Sequence, residues 1–321
     1  MTEPLPRAVA IVGPTAAGKG ALGRAVAEAL GLSIFVCDSV KVYRGLDIGS
    51  GKPDADARAR VPHFGLDLVA PDMPFSAGDW AAHAHEWRTH TRGLVVGGTG
   101  FYLRAAAWSH SAAAELGQEP DAASPERAAF ETRWRAAEAA APGAIHRGLA
   151  AIDAATAGAI HPHNLVRALR ALWLCELHGA PVSAVRRADP PRPRLELMLV
   201  VLDPGPEAIA SRIERRVDAM LERGFLAEVE KLSQAGYHAG HKAMQSLGYR
   251  ELLDVVEGRC DLPTARAAIV GATRQYARRQ RTYVRHQLPA AHVIEIATPE
   301  ACPTAAIAAF LSGADPCGGP S

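Results

Sequence analysis

A glycine-bounded loop near the start of the chain has the residue types that bind phosphate. It reads Gly13-Pro14-Thr15-Ala16-Ala17-Gly18-Lys19-Gly20 and lies between a short apolar run and an alanine- and leucine-rich helical pattern. In such a loop, backbone N–H groups, the positive end of the helix dipole and a lysine ammonium converge on phosphate oxygens. The usual signature ends in Ser or Thr, whose hydroxyl binds Mg²⁺, whereas this chain has Gly20. We predict a phosphate-binding loop that lacks this ligand; a plain glycine-rich turn is the alternative.

Two other polar residues follow apolar runs that are typical of buried strands. Asp38 comes after residues 33–36, and Thr99 comes after residues 93–96 in a second glycine-rich segment. Because ligands of parallel α/β sheets bind at the carboxyl ends of the strands, we expect both side chains to face the phosphate loop. The alternative for each is a local role in a turn or a helix cap, and for Thr99 both roles can coexist.

The elements that would position these residues alternate between strands and helices. Helical patterns separate the apolar runs, and the fifth run is apolar almost throughout, as in a buried parallel strand. This alternation predicts an α/β fold, namely a P-loop NTPase-like parallel sheet flanked by helices. The predicted strands cover residues 8–12, 33–36, 64–69, 93–96, 196–202 and 292–296.

An all-helical insertion interrupts this pattern. Between residues 109 and 190 the strand-like runs disappear, and alanine-rich helical segments take their place. We therefore predict a core in two parts, residues 1–108 and 191–312, with a helical insertion domain at 109–190 between them. Residues 313–321 are expected to form a disordered tail.

Composition and charge place few constraints on the partner. The 321 residues have a formal net charge of +1 and are 48% hydrophobic, so a polyanion site has to be a local patch. The five cysteines include no C-x-x-C pair, which argues against a disulfide framework or a zinc site. No apolar run reaches the ~18 residues that span a bilayer, and the N-terminus does not resemble a signal peptide. We expect a cytoplasmic protein without membrane contact.

One helical segment near the C-terminus carries a cationic stripe. Arg274, Arg278, Arg281 and Arg285 recur at the spacing of one helix face, and no acidic residue interrupts residues 272–287. A solvated helix usually mixes charges, so this stripe indicates a polyphosphate partner. The alternative is a face whose arginines pair with acids elsewhere in the fold.

Two reaction types suit a phosphate loop with a nearby carboxylate. In a small-molecule kinase, the γ-phosphoryl group moves. In the second type, pyrophosphate is the leaving group and the carboxylate takes a proton from the incoming nucleophile. The cationic stripe favours a nucleic-acid acceptor but leaves the reaction type open.

Several segments of the chain occur together in a characteristic order. They are the phosphate loop, Asp38-Ser39-Val40-Lys41-Val42-Tyr43-Arg44-Gly45-Leu46-Asp47-Ile48-Gly49, Gly97-Gly98-Thr99-Gly100-Phe101-Tyr102-Leu103, His161-Pro162, Arg167-Ala168-Leu169, Leu247-Gly248-Tyr249 and Thr273-Arg274-Gln275-Tyr276-Ala277-Arg278-Arg279-Gln280. The combination resembles the tRNA dimethylallyltransferase family, also called tRNA isopentenyltransferases. The resemblance covers about residues 7–288.

This resemblance implies a prenyl transfer to tRNA. A dimethylallyl group would pass from its diphosphate to N6 of adenine 37, beside the anticodon. The loop would hold the pyrophosphate of the donor rather than ATP, with Lys19 and Arg216 neutralising its charge and Mg²⁺ as cofactor. Asp38 would take the proton from N6, and Thr99 would hydrogen-bond the bridging oxygen of the leaving group. The adenine would have to leave its stack to reach this site.

The resemblance also implies an interface with the anticodon stem-loop. The helical insertion would grip the anticodon loop, and the stripe would contact the tRNA backbone, which makes the affinity salt-dependent. We expect a monomer to be the working form. The residues predicted to contact tRNA are Asp38, Ser39, Val40, Lys41, Thr99, Asp121, Val166, Arg167, Ala168, Leu169, Arg170, Arg274, Arg278, Arg281 and Arg285.

Four positions depart from the family pattern. Gly20 replaces a hydroxyl residue, Lys41 stands where Gln is common, and Asn164 and Val166 stand where Asp and Gln are usual. These changes leave two alternatives to an active prenyltransferase. One is a P-loop small-molecule kinase, and the other is a tRNA-binding relative with impaired catalysis.

Overall fold

In the computed structural model, which describes residues 4–109, 124–288 and 290–313, a six-stranded sheet lies at the centre of the fold. The strands are β1 (Arg7–Val12), β2 (Ser33–Cys37), β3 (His63–Phe64), β4 (Gly93–Gly97), β5 (Glu196–Leu202) and β6 (His292–Ile296). They lie in the order β3-β2-β4-β1-β5-β6, and every neighbouring pair is parallel. This sheet with its helices confirms the predicted α/β fold class.

The central strands are buried because their side chains are apolar on both faces. β1 runs between β4 and β5, where Ile11 is paired with Val96 and with Val200. The strand order also places the carboxyl ends of β2, β4 and β1 next to one another. The phosphate loop, Asp38 and Thr99 therefore follow three adjacent strands at the same edge of the sheet.

The predicted third strand is wrong over most of its length. Only His63–Phe64 pairs with β2, because Gly65 and Asp67 have φ angles of 76° and 56°, which no extended strand can contain. The Asp67 carboxylate instead accepts hydrogen bonds from Lys52 and Arg58. The other five predicted strands are confirmed to within one residue at each end.

Helices connect the strands and flank the sheet. The longest one begins where Asp261 accepts a hydrogen bond from the Thr264 N–H at 2.9 Å, and it buries Thr273, Ala277 and Gln280 along one face. The helices are α1 (Lys19–Leu30), α2 (Ala55–Arg60), α3 (Ala77–His90), α4 (Gly100–Ala107), α5 (Pro125–Ala140), α6 (Ala144–Ile152), α7 (Ala154–Gly158), α8 (Leu165–His178), α9 (Val182–Ala188), α10 (Pro206–Glu222), α11 (Phe225–Gln234), α12 (Tyr249–Val256), α13 (Leu262–Gln287) and α14 (Thr304–Leu311).

The chain divides into two compact units. One comprises Met1–Ala107 with Arg194–Ser321 and contains the sheet, and the other is Trp108–Pro193 and contains α5 to α9. In the second unit, Phe130, Ile145 and Leu172 belong to a buried apolar core of its own. Apart from Gly313, the predicted disordered tail lies outside the described residues. In the part of the chain that is described, no helix has the length and apolar character needed to cross a bilayer.

Candidate active site

The phosphate loop joins β1 to α1, and its backbone takes conformations that few side chains permit. Gly13 has a φ of 145°, and a Cβ at this position would collide with the carbonyl oxygen of Leu202. Gly18, at the N-cap of α1, has a φ of 103°, and Ala16 also has a positive φ, of 62°. The two glycines are therefore required by the turn itself. The turn leads into the amino end of α1, where the helix dipole favours an anion.

Lys19 is the cation of this loop. Its Nζ donates a hydrogen bond to the Pro14 carbonyl oxygen at 2.6 Å. Burial lowers the pKa of Lys19 to about 7; the negative charge of Asp38 opposes this shift, and the cations Lys41 and Arg216 add to it. An anion that binds to the loop would therefore stabilise the protonated ammonium.

Asp38 divides its two carboxylate oxygens between two tasks. Oδ1 accepts hydrogen bonds from the N–H groups of Val40 at 2.9 Å and Lys41 at 3.3 Å, so the predicted alternative of a turn residue describes one of its roles. Oδ2 has no hydrogen-bond partner among the described residues. One oxygen therefore shapes the turn after β2, while the other can accept a proton.

Thr99 joins the ends of β4 and β2. Its Oγ1 accepts a hydrogen bond from the Ser39 N–H at 3.1 Å, and its own N–H donates to the Cys37 carbonyl oxygen at 3.2 Å. The Tyr276 hydroxyl lies near Thr99, and burial raises the pKa of Tyr276 to about 12. The structure thus brings Thr99 to the turn that Asp38 shapes, as the sequence predicted.

A buried glutamine on α13 connects the phosphate loop to the end of β4. Gln280 accepts a hydrogen bond from the Thr15 N–H through Oε1 at 2.7 Å. Its Nε2 donates to the Gly98 carbonyl oxygen at 2.9 Å. Because its residue surface is only 6% exposed, neither bond competes freely with water. Gln280 therefore fixes the spacing between the phosphate loop and Thr99.

Two arginines of α10 face the same region. Arg212 donates a hydrogen bond from Nη1 to the Ala17 carbonyl oxygen of the phosphate loop at 3.0 Å. The Arg216 guanidinium lies against Gly51, and burial lowers its pKa while the charge of Asp38 opposes this shift. The structure therefore brings Arg216 near Asp38 and adds Arg212 to the loop.

A single carboxylate holds the segment that follows the Asp38 turn. Glu228 on α11 accepts hydrogen bonds from three consecutive backbone N–H groups and from the Tyr249 hydroxyl at 2.7 Å. The three backbone donors are Asp47, Ile48 and Gly49, at 3.0, 2.7 and 3.2 Å. Residues 47–49 are thus tied to a helix almost two hundred residues later in the chain.

The loop offers Mg²⁺ no ligand at the position that the phosphate-loop signature reserves for it. Gly20 has no side-chain oxygen, and a Cβ built there would lie 3.6 Å from Nη1 of Arg24. Over the described residues, no group of three or more His, Cys, Asp or Glu side chains could hold a metal ion. These residues do not fit a magnesium ion held by the loop.

The cationic stripe is partly paired with acids of the same unit. Arg274 forms an ion pair with Glu214, and Arg281 donates from Nε to Asp203 at 2.7 Å. The alternative that the arginines pair with acids elsewhere in the fold is therefore correct for two of the four stripe residues. Two stripe residues are exposed and have no acidic partner within the described ranges, namely Arg278 and Arg285.

The predicted tRNA contacts of the helical unit do not all lie at its surface. Ala168 and Leu169 are buried in the core of this unit, 0% and 6% exposed. Their side chains cannot contact a tRNA in this conformation, which corrects the expectation for these two positions. Asp121 lies outside the described residues. The exposed members of the set are Val166, Arg167 and Arg170.

Sequence reasoning missed Gln280, Arg212 and Glu228. A signal existed for Gln280, because it continues the buried face of α13 after Thr273 and Ala277, at helical spacing. A polar residue on such a face usually has a defined hydrogen-bond partner. No comparable signal marks Arg212 or Glu228, since charged residues on helices are usually solvated.

Comparison with known proteins agrees with this geometry. A family model described as IPP transferase matches residues 41–287, and one described as isopentenyl transferase matches residues 6–60. The tRNA dimethylallyltransferase of Geobacter metallireducens is 40% identical over 288 residues, which are 87% of this chain and 89% of that protein.

Solved structures give the same result. The tRNA isopentenylpyrophosphate transferase of Bacillus halodurans matches with a TM-score of 0.64 and 31% identity, over 96% of each chain. A eukaryotic dimethylallyltransferase acting on tRNA matches with a TM-score of 0.72 over 91% of this chain and 74% of that one; at 22% identity it supports the fold. The chain therefore belongs to the IPP transferase family, the tRNA dimethylallyltransferases, as its sequence motifs predicted.

Proposed function

We propose that this protein transfers the dimethylallyl group of dimethylallyl diphosphate to N6 of adenine 37 in the tRNA anticodon loop and releases diphosphate. One observation carries the proposal: three adjacent strand ends join in one site. The Ser39 N–H donates a hydrogen bond to Thr99 Oγ1 at 3.1 Å. The Gln280 side chain is hydrogen-bonded both to the Thr15 N–H and to the Gly98 carbonyl oxygen. An anion-binding loop, a carboxylate and a hydroxyl thus meet there. Membership of the family supports tRNA as the acceptor.

Asp38 is the proposed general base. Its Oδ1 is occupied by backbone N–H groups, which holds the carboxylate in place and leaves Oδ2 for the substrate. The N6 nitrogen attacks C1 of the dimethylallyl group, so an N6–C1 bond forms as the C1–O bond breaks. The proton from N6 passes to the Asp38 carboxylate, and the electron pair of the broken bond leaves with diphosphate.

The leaving group is stabilised by groups that are already in position. Thr99 would donate its hydroxyl hydrogen to the bridging oxygen as negative charge develops there. Lys19 and Arg216 would neutralise the terminal phosphate, and the N–H groups at the start of α1 would bind its oxygens. Because these groups are held by the loop and by neighbouring helices, little reorganisation is needed during the reaction.

Recognition of tRNA is assigned to exposed residues. Val166, Arg167 and Arg170 are the proposed contacts of the helical unit, and Arg278 and Arg285 are those of the stripe. The target adenine would flip out of its stack to reach Asp38, at a cost of a few kcal/mol. A monomeric working form and a cytoplasmic location also remain proposals.

The proposal is tested by incubating the purified protein with labelled dimethylallyl diphosphate and unmodified tRNA. We expect label in the tRNA and, by mass spectrometry of digested tRNA, N6-prenylated adenosine at position 37. The Asp38→Asn variant is the negative control. Label at another position would contradict the assignment of adenine 37.

Two other outcomes identify the alternatives. If no label enters tRNA but ATP is consumed with a small metabolite, the protein is a P-loop kinase. If the protein binds tRNA tightly but leaves adenine 37 unmodified with excess donor and Mg²⁺, it is a relative with impaired catalysis.

A further inference from the structure

The loop position that lacks the hydroxyl ligand for magnesium borders a cation. Gly20 is the second residue of α1, and Arg24 follows one turn later on the same helix. A Cβ at Gly20 would lie 3.6 Å from Nη1 of Arg24, which is its only contact within 4 Å among the described residues apart from the two chain neighbours and the backbone of the helix itself. The space that a Ser or Thr side chain would occupy thus borders a guanidinium. A positive group there repels a metal ion and attracts an anion.

Lys41 brings a second cation to the site. Its backbone N–H donates to Asp38 Oδ1 at 3.3 Å, so this residue stands at the turn that presents the carboxylate. Burial lowers the pKa of Lys41; Asp38 opposes this shift, and the positive charges of Arg216 and Arg24 add to it. The side chain therefore lies in the same buried electrostatic environment as the proposed catalytic groups.

The balance of charge in this environment is strongly positive. Lys19, Lys41 and Arg216 each interact with the Asp38 carboxylate, and Arg24 adds a further positive charge that acts on Lys41. Like charges that are buried together destabilise one another unless an anion compensates them. A diphosphate is an anion of the size and charge that would do so, and it is the group that the phosphate loop is proposed to bind.

We propose that side-chain cations neutralise the diphosphate in this protein, with Arg24 and Lys41 in the role that a loop-held Mg²⁺ would otherwise have. Binding of diphosphate should consequently depend little on Mg²⁺. The proposal rests on the proposed function for the identity of the ligand as a prenyl diphosphate. It concerns charge compensation at the donor site and not the transfer step.

The test measures binding of inorganic diphosphate to the whole protein by titration calorimetry, once with EDTA and once with millimolar Mg²⁺. For the wild type we expect the two Kd values to agree within about threefold. For Lys41→Gln and Arg24→Gln, each of which removes one cation, we expect Kd in EDTA to rise about tenfold, with partial recovery in Mg²⁺. Arg60→Gln removes one charge from an exposed arginine that pairs with Glu28 and should behave like the wild type.

A double variant restores the magnesium ligand and removes the neighbouring cation. Gly20→Ser combined with Arg24→Gln restores the hydroxyl and removes the guanidinium. We therefore expect this variant to bind diphosphate more tightly in Mg²⁺ than in EDTA. The proposal is overturned if wild-type affinity falls more than about tenfold in EDTA, a result that needs no variant to fold. It is also overturned if Lys41→Gln and Arg24→Gln leave the EDTA affinity unchanged.

These outcomes are separable from those of the transfer experiment. Prenylated tRNA together with Mg²⁺-dependent diphosphate binding would leave the proposed function standing and remove only the cation proposal. If the protein binds diphosphate in the absence of Mg²⁺ but does not prenylate tRNA, the cation proposal stands and the proposed function is removed.

Discussion

The proposed donor site and the proposed tRNA contacts of the helical unit are built in different ways. In the donor site, side chains are fixed by partners far away in sequence: Thr15 and Gln280 are 265 residues apart, and Ser39 and Thr99 are 60 apart. In the helical unit, the start of α8 is fixed locally by its Asn164 cap. Val166, two residues later, is 80% exposed.

This difference matches the two tasks proposed for the regions, namely catalysis in the donor site and tRNA recognition in the helical unit. Prenyl transfer requires reacting groups held to a fraction of an ångström, which buried hydrogen bonds provide. Binding a flexible anticodon loop requires accessible side chains, which can adapt to their partner. Substitutions in the donor site should therefore lower kcat, and those at the surface of the helical unit should raise KM for tRNA.

The largest effect is expected at Asp38. Asp38→Asn keeps an oxygen for the turn but cannot take a proton, so kcat should fall about 10²- to 10⁴-fold. The Kd for tRNA should stay within about threefold, because the carboxylate is not needed for tRNA affinity. Single-turnover kinetics and a filter-binding titration measure the two quantities. Equal losses in both would contradict a role as base.

Gln280 should have the next largest effect, through position rather than contact with substrate. Gln280→Ala leaves the Thr15 N–H and the Gly98 carbonyl without their partner, which costs about 1–3 kcal/mol for each buried group. We expect kcat to fall about 10- to 100-fold with little change in tRNA Kd. Gln280→Glu keeps the acceptor for Thr15 and should recover part of the loss.

The matched control lies on the same helix. Gln275 is exposed, so Gln275→Ala should leave kcat and the urea midpoint unchanged. A purely structural role for Gln280 would lower the urea midpoint while kcat per folded molecule stays at the wild-type value.

The pKa of Lys19 predicts how donor affinity depends on pH. In the proposed mechanism Lys19 binds diphosphate as the ammonium, and its pKa is about 7 because of burial. Affinity should therefore be highest below pH 7 and weaken as the pH rises, by about tenfold in Kd between pH 6 and 8. Calorimetry in buffers of different ionisation enthalpy should show proton uptake at pH 8. Lys19→Met should make the dependence shallower; an unchanged slope would assign it to another group.

A smaller effect is expected in the helical unit. Arg167→Gln removes an exposed cation at the start of α8, so KM for tRNA should rise about fivefold while kcat is unchanged. Arg133→Gln is the control, because this arginine belongs to the same unit but pairs with Glu176 at 2.8 Å. If Arg167→Gln lowers kcat and leaves KM constant, the helical unit does not act in tRNA recognition alone, which would contradict the proposed division of tasks.

The smallest effect separates paired from unpaired members of the stripe. Arg278→Gln should reduce the slope of log Kd against log salt concentration by about 0.7–0.9, the value for one phosphate contact. Arg274→Gln should change it less, because Arg274 is engaged with Glu214. Equal changes would show that the ion pair opens when tRNA binds.

Local patterns predicted most of the fold because they reflect local rules. Five of six strands followed from short apolar runs, whereas the third failed at Gly65 and Asp67, where the backbone turns to positive φ. Within the site, the proximity of Lys19, Asp38 and Thr99 could be predicted because parallel strands end at the same edge of a sheet. Ala168 and Leu169 were misplaced because a contiguous motif on a helix includes residues of every face.

The sequence alone therefore determined the phosphate loop, the strand ends beside it and the family, since each depends on residues close together in the chain. The tertiary structure decided which distant residues complete the site. It placed Gln280 between the loop and β4, Glu228 against residues 47–49, and Arg212 against the phosphate loop. Such partners are set by how the helices pack on the sheet. The spacing of residues along the chain carries little information about this packing.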